Sequence, residues 1–78
     1  MNVEIVNPDK TIFKGEAKAV LLPGIDGLFE ILDKHAPLIA VLKKGQIKLT
    51  DNRDQVSTYD INGGVVENLQ NNVLIMVE

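Results

Sequence analysis

The sequence has no cysteine, which excludes disulfides, thiolate zinc sites and a cysteine nucleophile. Its one histidine, His35, makes a two-histidine metal site impossible. Arginine, the usual fork for phosphates, occurs only at Arg53. The aromatics are limited to Phe13, Phe29 and Tyr59, and the net charge is −3. A chain so poor in arginine and aromatics, and acidic overall, is a poor nucleic-acid binder. Six glycines and three prolines are too few for a disordered or collagen-like chain. No apolar run approaches the roughly 20 residues of a membrane-spanning helix. The opening Met1-Asn2-Val3-Glu4 has neither the basic nor the apolar region of a secretory signal. These absences point to a soluble, intracellular chain.

The 78 residues amount to one domain, residues 1–78. Ordering each residue costs roughly 1.5 kcal/mol, which largely cancels the hydrophobic gain in a domain this small. Docking on a partner is the common way to add stability without disulfides or metals. Charge is unevenly distributed. Residues 1–48 carry seven lysines against six acids, for +1, and residues 49–78 carry Arg53 against five acids, for −4.

Turn signals recur at short spacing: Asn7-Pro8-Asp9, Pro23-Gly24, Asp26-Gly27, Lys44-Gly45, Asp51-Asn52, Asn62-Gly63-Gly64 and Asn71-Asn72. Short apolar segments between such signals predict a sandwich or barrel of short strands. Val3 and Ile5 alternate with polar neighbours, as do Ile47 and Leu49, and Tyr59 and Ile61. Around Val20 and Leu22 both faces become apolar. Val73–Val77 is apolar throughout, which predicts a strand covered on both faces. Asn71-Asn72 can adopt positive φ and close a hairpin with residues 65–69. In Ala36–Lys44, Leu38, Ile39, Val41 and Leu42 fit a helical face as well as a strand, with Pro37 and Gly45 as possible helix boundaries. Nine residues are marginal for an isolated helix.

Catalytic chemistry finds little support. Paired-carboxylate catalysis needs two acids in one pocket with different environments, and the acids here fall mostly at turns or on polar strand phases. Ser57, Thr58 and Thr50 lack a nucleophile elbow, and His35 lacks a recognisable nucleophile and orienting group. Gly24-Ile25-Asp26-Gly27 is not followed by Gly-Lys-Ser/Thr and so is no phosphate cradle. Gly63-Gly64 reads as a bulge or tight corner. Lys43, Lys44 and Lys48 either meet an acidic partner or solubilise an edge strand. Asp33-Lys34-His35-Ala36 partly resembles the modified-lysine tip of lipoyl and biotinyl carrier domains. His35 and Pro37 depart from that pattern, leaving a carrier modified on Lys34 as the alternative reading. No catalytic site, metal site or cofactor is expected.

Three blocks together resemble the epsilon subunit of the F-type ATP synthase, over essentially the whole chain. The first runs from Val3-Glu4-Ile5-Val6-Asn7-Pro8 to Phe13-Lys14-Gly15-Glu16. The second runs from Leu22-Pro23-Gly24 through Gly27-Leu28-Phe29 to His35-Ala36-Pro37-Leu38-Ile39. The third is Gly63-Gly64-Val65-Val66-Glu67 with Asn72-Val73-Leu74-Ile75. His-Ala-Pro-Leu is the most specific element. Asp33-Lys34 and Lys44-Gly45 stand where the family commonly has Pro-Gly.

The resemblance implies an all-β, flattened sandwich of about ten short strands, with Ala36–Lys44 as strand. Ending at Val77-Glu78, where the sandwich should end, the chain resembles either a short form without the carboxy-terminal helical hairpin or the sandwich part of a longer chain, and the hairpin's inhibition and nucleotide binding are not expected of these residues. The resemblance implies a non-catalytic rotor subunit of the central stalk, which binds gamma, rests on the polar loops of the c-ring and reaches the catalytic alpha and beta subunits through the complex. The subunit would be peripheral, on the cytoplasmic face of the energy-transducing membrane, without inserting into it. By the same resemblance, Asn7 and Gly24, Ile25, Asp26, Gly27 and Leu28 lie toward the c-ring. His35, Ala36, Pro37, Leu38 and Ala40, with Gln46, lie toward gamma. Leu38, Ile39 or Val41 left uncovered would mark a protein interface.

Overall fold

The computed structural model describes residues Met1–Glu78, which form seven strands and no helix. They are β1 (Asn2–Val6), β2 (Thr11–Glu16), β3 (Ala19–Gly24), β4 (Gly27–Leu32), β5 (Leu38–Thr50), β6 (Val56–Leu69) and β7 (Asn72–Val77). They hydrogen-bond in the order β2-β1-β7-β6-β5-β3-β4. Every pairing is antiparallel except β1 with β7, which joins the two ends of the chain in parallel. The body is flattened, 27 × 23 × 18 Å.

One continuous sheet becomes a sandwich because its two longest strands change their inward phase together. In β5, Leu38, Ala40 and Leu42 are the more buried residues first, then Ile47 and Leu49. In β6, Tyr59 and Ile61 are inward first, then Val66 and Asn68. Both changes fall in the stretch bounded by the pairs Leu42↔Gly64 and Gly45↔Ile61, with no shift of register between the strands. A one-residue change of phase moves side chains to the opposite face, so the ribbon turns over there and passes between layers. One layer holds β2, β1, β7 and the adjoining halves of β6 and β5. The other holds the remaining halves with β3 and β4. Gly64 permits the crossing, since a Cβ there would collide with the backbone of Met76 and Val77. Between the layers lie Val3, Ile5, Val20, Leu22, Ile31, Ile47, Leu49, Val66 and Ile75, all essentially inaccessible to solvent.

The all-β sandwich matches the sequence reading, with seven strands in place of about ten. Lys44-Gly45 and Asn62-Gly63-Gly64 look like chain breaks in sequence but lie inside β5 and β6, at the corner. There Gly63 does adopt positive φ, 150°. Ala36–Lys44 enters β5 at Leu38 and is strand, not helix. Two expectations are corrected. Strand β7 has one covered face, with Val73, Ile75 and Val77 buried while Met76 is 41% exposed. The β6–β7 turn places its positive φ one residue earlier, at Gln70 (51°) and Asn71 (63°). Two consecutive positive φ values suit the twist of a tight hairpin.

Candidate docking surfaces

The residues expected to face the c-ring converge at the corner end of the sandwich. Gly24 pairs with Gly27 to close the β3–β4 hairpin, leaving Ile25 and Asp26 at its tip. Gly27 has φ 132° with open space around its α-carbon, so its role is the bend itself. The tip is tied to β5 by Ile25 N–H donating to the Val41 carbonyl at 2.9 Å. Asn7 arrives at the same place from β1, sharing a groove with Val41, Leu42 and Met76. Its side-chain oxygen accepts from the amides of Asp9 and Lys10, both at 2.8 Å. That oxygen therefore shapes the β1–β2 turn.

Around the hairpin lies an exposed apolar patch. Ile25 is 62% exposed, Leu28 70%, Ile39 73% and Val41 51%. A shallow groove between hairpin and strand is lined by Ile25, Leu28, Phe29, Ile39 and Val41 with Ala40. The strand register extends the patch across one layer: Val41 opposes Val65, Val65 opposes Met76 and Met76 opposes Val6. Val65 and Val6 are half-buried there and Met76 is exposed.

The residues expected to face gamma do not form one cluster. His35, Ala36 and Pro37 occupy the β4–β5 loop at the opposite end of β1 and β7 from Asn7, next to the β6–β7 turn. That loop is held by polar ties. Asp33 Oδ1 accepts from the amino terminus of Met1 at 3.0 Å and from Asn71 Nδ2 at 2.8 Å. These hydrogen bonds, Asn71 foremost, hold the Asp33 carboxyl below its ordinary pKa, although burial acts slightly against them. Lys34 adopts φ 65° and its N–H donates to Asn71 Oδ1 at 2.7 Å. Asn68 Nδ2 donates to the carbonyls of His35 and Ala36. Leu38 turns inward, half-buried against the core, whereas its neighbour Ile39 is exposed. Gln46 lies beyond the corner, exposed, bonding Asp60 Oδ1 at 3.2 Å.

Sequence reasoning missed Val6, Val65 and Met76, which join the patch only through strand order. It also missed Asn68. The signal for Asn68 was present, since it is polar at the inward phase set by Val66 in an otherwise alternating strand. The structure contains no group of three or more acidic or histidine side chains placed to hold a metal ion. His35 is exposed, and its Nδ1 lies 2.7 Å from the Ala36 carbonyl.

This sandwich, closed by a parallel first and last strand, is of the ATP synthase delta/epsilon type. The sequence model of the ATP synthase delta/epsilon chain β-sandwich domain matches residues 1–78, and the chain belongs to that family. The ATP synthase epsilon chain of Chlorobium limicola is 40% identical over 76 residues, covering 97% of this chain and 86% of its relative. That of Leptospira borgpetersenii is 33% identical over all 78 residues, which span 61% of its length. A chain in the mitochondrial ATP synthase of Euglena gracilis superposes with a TM-score of 0.89 at 22% identity, over 96% of this chain and 48% of that one. At that identity it shows the shared fold. The alternative of a carrier modified on Lys34 is not supported. Lys34 lies in a loop pinned to the β6–β7 turn, and the family match assigns the chain elsewhere.

Proposed function

We propose that this chain is a non-catalytic rotor subunit of the central stalk of an F-type ATP synthase. It links gamma to the c-ring and couples proton-driven rotation to ATP synthesis or hydrolysis. The observation that carries the reading is the exposed apolar patch of Ile25, Leu28, Ile39 and Val41 on a domain that matches the family along its whole length. Exposed contiguous apolar surface marks a place where another protein sits, and a domain this small gains stability from such docking. A rigid sandwich with separate docking regions at its two ends suits transmission of rotation better than chemistry.

In this reading the corner end, with Asn7 and Gly24–Leu28, meets the polar loops of the c-ring. The loop of His35, Ala36 and Pro37, continuing along β5 through Leu38 to Ala40, meets gamma. Gln46 joins the gamma surface if gamma passes along the length of β5. The complex stands at the membrane, with this subunit peripheral on its cytoplasmic face and the catalytic alpha and beta subunits reached through gamma. A tagged chain captured from detergent-solubilised membranes of the source cell tests this. Recovery of gamma with c-ring and catalytic subunits, and a bait of unmodified mass, is expected. Recovery of dehydrogenase or carboxylase components, with added mass on Lys34, contradicts it.

A further inference from the structure

We infer that Asn68 is a positioning residue for the gamma-facing loop. Its side-chain amide holds His35-Ala36-Pro37 in the docking conformation, at the expense of sandwich stability. The inference rests on the rotor-subunit reading and deepens it, from a surface to the residue that shapes the surface.

Asn68 sits on β6 opposite Leu38, where β5 begins. It is the one buried polar residue of the chain, 2% exposed. Its Nδ2 donates to two consecutive carbonyls, those of His35 and Ala36, each at 3.2 Å. The segment has few other restraints. Pro37 has no N–H to give, and the His35 amide makes only a local bond to the Leu32 carbonyl at 3.1 Å. The Ala36 carbonyl also lies 2.7 Å from His35 Nδ1. A carbonyl can only accept, so Nδ1 carries the hydrogen and a neutral ring presents Nε2 as its acceptor. Through one carbonyl Asn68 thus fixes the backbone before Pro37 and the setting of the His35 ring.

The other half of the Asn68 amide gains nothing. Oδ1 is buried and has no hydrogen-bond partner. A buried acceptor without a partner lowers stability, and an apolar side chain of similar shape removes that penalty. The inward position is suited to such a side chain, since Val66, next inward on the same strand, is fully buried. An asparagine that weakens the core while bonding two loop carbonyls has its benefit in the loop. From there the chain leads directly to the exposed Ile39, and Pro37, Ile39 and Leu69 flank Asn68 in a shallow groove.

The test is Asn68→Leu in the full chain, with three readings. Binding to purified gamma subunit is expected to weaken at least tenfold. Tm is expected to stay equal or rise. Exchange of the His35 amide with solvent is expected to quicken at least tenfold. Gamma binding within twofold of wild type overturns the inference, and so does a loss of binding matched by a fall in Tm, which would make Asn68 merely structural. Should the wild-type chain fail to bind gamma, the functional reading itself falls. The exchange measurement still decides whether Asn68 restrains the loop, and unchanged exchange at His35 overturns that claim independently.

Discussion

The two ends of the sandwich are built on opposite principles. The corner end presents Ile25, Leu28, Ile39 and Val41 to solvent and is organised by backbone: a hairpin closed by Gly24 and Gly27 and a sheet that turns over beside Gly64. The other end is organised by side-chain polarity, through Asp33, Asn71 and Asn68, which together restrain a loop lacking strand partners. Apolar exposure tolerates many partner shapes and contributes area, whereas a polar-tied loop holds one shape and contributes specificity. One small domain can therefore offer an adhesive surface at one end and a shaped one at the other.

The contrast can be broken most forcefully at the corner. Gly64→Ala places a methyl group against the backbone of Met76 and Val77, neither of which can move without disturbing β7. We expect a loss of about 2–3 kcal/mol, measured by urea unfolding. The apolar end is next. Ile39→Asp leaves folding intact, because the side chain is exposed, but weakens assembly with the stalk by about 2 kcal/mol, roughly thirtyfold in Kd. Titration of the purified partner subunits reads this directly. Leu38→Asp makes the useful contrast, because Leu38 is inward and its loss reduces folding and binding together.

Smaller effects sharpen the comparison. Asn7→Ala removes the acceptor for two turn amides and should reduce stability by about 1 kcal/mol. At the polar end, Asp33→Ala should lower Tm modestly at neutral pH. Because the folded-state pKa of Asp33 is depressed, its contribution is present above the unfolded value of about 4 and disappears as pH falls through the lower folded value. Wild type and variant should therefore converge in Tm on acidification. A difference that persists at low pH would mean the carboxylate charge is not what ties the loop.

Much of the sandwich was legible in the sequence, because period-two alternation at Val3 and Ile5, Ile47 and Leu49, and Tyr59 and Ile61 is a local property of a half-buried strand. The corner was half legible. Gly63-Gly64 announced a special backbone, but a turn between strands and a turnover within one strand demand the same residue types. The exposed apolar patch was least legible, since Ile25, Ile39 and Met76 come onto one surface only through the order β7-β6-β5-β3. Alternation also could not say whether Leu38 or Ile39 faces the core. That phase depends on where the corner falls, seven residues further on at Gly45.

The most direct test of the account is hydrogen–deuterium exchange on the chain, free and bound to the assembled gamma subunit and c-ring. A chain that docks at both ends should gain protection in two separate segments, 24–28 with 39–41 at the corner end and 34–38 at the polar end. The edge strand β2 and the β5–β6 turn at 51–55, closed by the Asp51 amide donating to the Gln55 carbonyl at 2.9 Å, should remain unchanged. Protection centred on that turn or on β2, with both ends exchanging as in the free chain, would contradict it.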